Sequence, residues 1–197
     1  MKKLNNALIF LCSLASICIF VKDLNIGATD RFLGDLSMVF VLLIPKIVRW
    51  LFKIKITDAM EFVYVIFMIL AQFIGSVVNL YNHTWWYDLF THFLSGVLTT
   101  VLALVIMNWM KVYDDKNKWF NFIFMISFTL MIASFWEFME FGSDLIMKTD
   151  VQHALDTGVA DTMQDMLIAF LGSIIVAVKY VLENKKGLIK KIVSALK

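Results

Sequence analysis

The chain is short of helix breakers and of the residues that staple small domains. Its 197 residues include one proline and two cysteines. So few prolines leave room for long uninterrupted helices, since a proline removes a backbone donor and crowds the preceding turn. Cys12 and Cys18 are six apart in one apolar segment, point to different helix faces and do not bridge each other. No Cys/His spacing suits structural zinc. Also missing are G-x-S-x-G, H-E-x-x-H, a glycine-rich phosphate loop and any nucleic-acid-binding motif. Their absence removes the usual hydrolase and nucleotide signatures, and no nucleic-acid partner is expected. Di-iron bundles want two E-x-x-H motifs, whereas Glu137 and Glu140 form E-x-x-E with no histidine. No strand-like alternation occurs, which argues against a β-barrel.

What the chain has in excess is apolar surface. It is 60% hydrophobic with a mean hydropathy of +0.78, against about 45–50% apolar in soluble domains. That composition defines an integral membrane protein. Six segments are long enough to cross a hydrocarbon core of about 30 Å. They run from Ala7 to Val21, Phe32 to Ile47, Ala59 to Leu80, Trp85 to Trp109, Trp119 to Ile146 and Asp161 to Leu182. Lys2 and Lys3 before the first segment resemble a signal-peptide start, but no small-x-small cleavage site follows Val21, so it reads as a span. Pro45 is expected to kink or stop the second segment. Trp85, Trp86 and Trp109 fit interfacial aromatic belts. The fold expected is all-α: a polytopic bundle of six transmembrane helices forming one domain over residues 1–182.

Lysine and arginine placement sets the expected orientation. With the N-terminus inside, the inner side holds Lys2, Lys3, Lys46, Arg49, Lys53, Lys55, Lys111, Lys116, Lys118, Lys179, Lys185, Lys186, Lys190, Lys191 and Lys197. The outer side holds Lys22, Arg31 and Lys148. Both termini are therefore expected in the cytoplasm. Residues 183–197 read as a basic cytoplasmic tail forming a short amphipathic helix on anionic lipid.

Against this map the acids gather at one level. Asp88 and His92 open the fourth segment. Glu137, Glu140 and Asp144 close the fifth. Asp161 and Asp165 open the sixth. Spacings of three and four put each set on one helix face. Ser95 and Thr99 extend the fourth-segment face, and Gln72, Ser76 and Asn79 make a polar stripe on the third. Asp58 and Glu61, at the other membrane face, are expected to reach water. His83 and His153 fall in outer loops and read as solvated. Ser95-Gly96, Gly75-Ser76 and Gly172-Ser173 suit close helix packing.

So many carboxylates at low dielectric require an offset from protons, basic residues or a metal ion. Basic partners are scarce on that side. A divalent ion, Mg²⁺, Mn²⁺, Ca²⁺ or Zn²⁺, suits many oxygens and one imidazole. Candidate ligands are Asp88, His92, Glu137, Glu140, Asp144, Asp161 and Asp165, with His92, Asp88 and Glu137 as candidate catalytic groups. Helix capping is the competing reading for Asp88 and Asp161. It does not serve Glu137, Glu140 and Asp144, which lie where the helix dipole disfavours negative charge.

Tyr87-Asp88 with His92-Phe93 and Gly96, Glu137 with Glu140, and Asp161 with Asp165-Met166, Ala169 and Gly172 resemble the three blocks of the YjdF-like family of bacterial inner-membrane proteins. The Asp-x-x-x-His-Phe block is more distantly similar to VanZ-like membrane proteins. The resemblance covers about Trp85 to Gly172. It implies a multi-pass protein of the bacterial plasma membrane with a site at these residues, and implies no reaction. Three functions stay open: a metal-dependent hydrolase or transferase on a lipid-linked or envelope substrate, a cation- or proton-coupled transporter, and a non-enzymatic envelope-binding or resistance protein.

Overall fold

Long apolar segments with one proline fold as long helices. The computed structural model describes residues 1–27, 32–184 and 187–194. Arg31, Lys185, Lys186 and Lys197, used above for orientation, lie outside the described residues. The helices are α1 (Lys2–Ile26), α2 (Phe32–Phe52), α3 (Asp58–Met68), α4 (Tyr87–Trp109), α5 (Lys118–Met147), α6 (Ala154–Thr157), α7 (Ala160–Leu182) and α8 (Leu188–Ser194). A π-helical stretch, Ile69–Val77, continues α3. Among the described residues there is no strand.

Among the described residues, five helical stretches are long and apolar enough to cross a membrane: α1, Asp58–Val77, α4, α5 and α7. The remaining expected span, α2, is a full helix but carries Asp35, Lys46 and Arg49 within its twenty-one residues.

The chain divides into two compact units, Met1–Asp88 and Leu89–Lys197. In the first, Met38, Leu42, Val65 and Val77 are buried together with Ile9 and Met68. Pro45 does not end α2, which runs on to Phe52. Pro45 has no N–H to offer the Val41 carbonyl one turn back. The Tyr64 hydroxyl donates to that carbonyl instead, at 2.7 Å. Polar groups otherwise tie helix to helix. Asn5 donates to the Asp58 carbonyl at 2.9 Å, and Gln72 donates to the Gly34 carbonyl at 3.2 Å and to Ser37 at 3.0 Å. Gln72 is thus a helix-to-helix tie within this unit. The expectation that Glu61 reaches water is wrong. Glu61 is 2% exposed, and Arg49 donates to its Oε2 at 2.8 Å. Burial of a carboxylate demands such a partner.

In the second unit α5 buries one stripe: Asn121, Met125, Thr129, Ala133 and Glu137, each four residues apart. Around Met125 lie Ala103, Leu104, Met107, Val176, Ala177, Tyr180 and Ile189. At the C-terminal end of α7, Asn121 donates to the Tyr180 hydroxyl at 2.6 Å, and Tyr180 donates to Tyr113 at 3.3 Å. Within the tail, Leu188–Ser194 forms the helix α8, which packs against this unit. Ile189 enters the core, and the Lys190 ammonium lies 3.0 Å from Asp115 and 5.7 Å from the Tyr180 ring centroid. Glu183 caps α8 by accepting from the Lys190 N–H at 2.7 Å.

Candidate metal centre

The site is positioned by a close crossing of α4 and α7. A β-carbon at Gly96 would collide with the Ala169 carbonyl, and one at Gly172 would collide with the Phe93 carbonyl. Glycine on each helix therefore lets the two backbones touch, as small residues do between membrane helices. His92 sits four residues before Gly96, and Asp165 four before Ala169. Each emerges one turn N-terminal to the crossing, on the same face as its contact residue. Asp88 is one further turn back on α4. The boundary between the two units falls just after Asp88, inside the first turn of α4, so a single helix carries Asp88 and His92.

Asp88, His92 and Asp165 each offer a ligand atom, and these atoms lie within 4.8 Å of one another. His92 Nε2 is 3.8 Å from Asp165 Oδ2. His92 is 8% exposed and Asp165 1%. Two carboxylates and one imidazole bring a formal charge of about −2 when the imidazole is neutral. That matches a divalent ion and leaves coordination positions for water or substrate. Donors about 2.1 Å from a tetrahedral ion stand about 3.4 Å apart, so the His92–Asp165 spacing needs only a small inward shift.

The other expected ligands divide. Glu137 is buried at 4% exposure on the α5 stripe. Its helix faces α7 at this level, since Ser134 donates to the Met166 sulfur at 3.7 Å. Gln152 reaches from the following loop to the Glu137 carbonyl and to the Thr162 hydroxyl, both at 3.3 Å. Glu140 accepts from the Trp136 indole at 2.7 Å. Asp144 accepts from Thr149 Oγ1 and the Val151 N–H, both at 2.7 Å, and from the Gln152 N–H at 3.0 Å. It thereby folds the α5–α6 connection. Asp161 lies in the first turn of α7, where the helix dipole favours a carboxylate. His83 is exposed and its Nδ1 lies 2.8 Å from the Asn79 carbonyl.

Sequence reasoning missed Gln152 and Thr129. Thr129 Oγ1 lies 2.9 Å from Thr100 Oγ1 and accepts from Thr99 at 3.2 Å, joining α5 to α4 below the site. The four-residue spacing of the α5 stripe was a usable signal for Thr129. Gln152 sits in a loop without periodicity and had none.

The helices and this polar group define a multi-pass integral membrane protein with a candidate cation site. Residues 5–186 match the family described as predicted membrane protein (DUF2238), and the chain belongs to that family. Comparison with curated proteins and with solved structures gives no match.

Proposed function

We propose that this protein is a metal-dependent hydrolase or transferase acting on a lipid-linked or envelope substrate at the outer face of the plasma membrane. The observation that carries the reading is the Asp88, His92 and Asp165 group on α4 and α7. The Lys/Arg distribution supports six spans, with both termini cytoplasmic and the site towards the outside. The resemblance to the YjdF-like blocks falls on the same residues. A bound divalent ion would supply a water acidic enough to be hydroxide near neutral pH, or polarise a phosphoryl or acyl oxygen. The chain's own residues would do the rest. Asp88 and Asp165 balance the ion's charge. His92 holds a ligand position or takes a proton. Glu137 stands ready as a further acid or base on α5. Glu140, Asp144 and Asp161 support the helix ends around the site.

Transport is the weaker reading. Below Thr129 the buried stripe turns to Met125, packed with Leu104 and Met107, all 0% exposed. A water path along α5 would have to cross that apolar layer.

The test is metal analysis of the purified full chain, followed by turnover of lipid-linked phosphoryl and acyl substrates in proteoliposomes. About one divalent ion per chain and chelator-sensitive turnover, both lost in Asp165→Asn, are expected. Metal binding without turnover would favour the non-enzymatic binding reading. Protein that binds no divalent ion and is unmoved by chelator would end the metal reading.

A further inference from the structure

His92 and Asp165 take their places from the α4–α7 crossing, whereas Asp88 lies two turns before it, in the first turn of α4. The N–H groups of a first turn have no partners within their own helix, and such ends fray unless something outside holds them. Here the chain leading into α4 is pinned to the π-helical stretch Ile69–Val77 of its own unit. The Leu80 and Tyr81 N–H groups donate back to the Ile74 and Gly75 carbonyls, at 3.1 and 3.3 Å. The Tyr81 ring lies against Gly75, where a β-carbon would collide with it, so a side chain at that position would push the ring away. Tyr81 packs on Tyr87, with ring centroids 5.7 Å apart. Tyr87 is buried, and its hydroxyl donates to the Leu70 carbonyl at 2.9 Å. Its N–H donates to the Thr84 carbonyl, also at 2.9 Å. Tyr87 is thus held by ring, hydroxyl and backbone, and Asp88 is the next residue. π winding is rare and recurs at functional sites. In this chain it provides both seats, the open face of Gly75 and the Leu70 carbonyl.

We propose that Tyr87 is a positioning residue for the metal group. Its bond to the π-helical stretch fixes the first turn of α4 and so sets where Asp88 presents its carboxylate. The inference rests on the metal reading above. Distances decide why the anchor matters. One residue of helical rise is about 1.5 Å, most of the length of a metal–carboxylate bond of about 2.1 Å. A first turn free to unwind by one residue would therefore carry Asp88 out of reach of an ion held by His92 and Asp165. Tyr87 acts through Asp88 and needs no contact with the ion.

The experiment is Mn²⁺ titration of the purified full chain in detergent, with the visible absorption of the Co²⁺-loaded protein as a report on ligand geometry. Tyr87→Phe keeps the ring and removes only the hydroxyl. It should weaken Mn²⁺ binding about tenfold, the low end for groups that orient a metal ligand, and should change the Co²⁺ absorption. Tyr64→Phe is the control for a merely structural role, since it too removes a hydroxyl that donates to a helix carbonyl in the same unit. It should melt lower in chelator yet keep the wild-type Mn²⁺ affinity and Co²⁺ absorption. Wild-type affinity in Tyr87→Phe would overturn the inference and leave the metal reading standing. So would an equal loss of affinity in Tyr64→Phe, which would mean that general loosening of the unit is enough. Wild type that takes up neither ion would overturn the metal reading, and the role of Tyr87 with it.

Discussion

His92 Nε2 stands 3.8 Å from Asp165 Oδ2 across the α4–α7 crossing. That separation is longer than a good hydrogen bond. It is close to the spacing of two donors that share one small cation. If they do share one, each variant should lose ion-linked stability. A ligand that binds only the folded state stabilises by about 2.7 kcal/mol at a hundredfold excess over its Kd. Wild type should therefore gain several degrees in melting temperature on adding Mn²⁺ or Zn²⁺. His92→Ala and Asp165→Asn should lose that gain. Asp144→Asn should keep it, because Asp144 serves the loop. Equal ion-linked gains in wild type and Asp165→Asn, read by thermal denaturation in detergent, would remove Asp165 from the site.

Tyr64→Phe isolates a second relationship. Without its hydroxyl the Val41 carbonyl loses its donor, and Pro45 cannot supply one. A part-buried carbonyl left without its donor costs about 1–3 kcal/mol. The melting temperature should drop accordingly. Pro45→Ala in the Tyr64→Phe background should recover most of the loss, because alanine restores the backbone donor. No recovery would mean that the hydroxyl acts elsewhere.

These two sites show what the sequence could and could not convey. Apolar length sets helix existence, so the ends of α5 and α7 fall within one residue of their expected positions. Pro45 does not stop α2, and the carbonyl it leaves free is met by a tyrosine nineteen residues away. Four-residue spacing set Asp88 and His92 on one face, and Gly96 with Gly172 marked the crossing that brings Asp165 to them. Glu140 and Asp144 share a face with Glu137 in sequence. Their carboxylates nevertheless turn to Trp136 and to the α5–α6 loop, a choice made by local donors that spacing does not encode. Glu61 and Lys190 look like water-facing charges. Each is buried by a partner twelve or more residues distant.

Gly96→Ala tests the crossing itself. Its new methyl would meet the Ala169 carbonyl, and backbone cannot step aside as a flexible side chain can. Forcing extra volume into a packed interior costs about 1–3 kcal/mol. The helices must part, which also moves His92 away from Asp165. Both thermal stability and ion-linked stabilisation should fall. Gly142→Ala is the control, since its added methyl meets nothing within 4 Å. Equal behaviour of the two variants would mean that α4 and α7 do not touch at Gly96.

The last prediction concerns pH and the docked tail. The Asp115 carboxyl is held below its usual range, first by its hydrogen bond with Lys190, against a smaller opposing effect of burial. A depressed folded-state pKa gives stability that is complete above the unfolded value, about 3.9, and is lost as pH falls through the lower folded value. The docking of α8 should therefore be unchanged between pH 5 and 8 and loosen only below about pH 4. The effect should be modest, because the Asp115 side chain is 38% exposed and screened by solvent. Ile189 and the Tyr180 ring still hold the helix when Asp115 is neutral. Hydrogen exchange across residues 187–194 reads this directly. Asp115→Asn should exchange faster at pH 7 than wild type and lose the acid transition. A wild-type transition near pH 6 would point to a histidine instead and would displace the Lys190–Asp115 pair as the group that titrates.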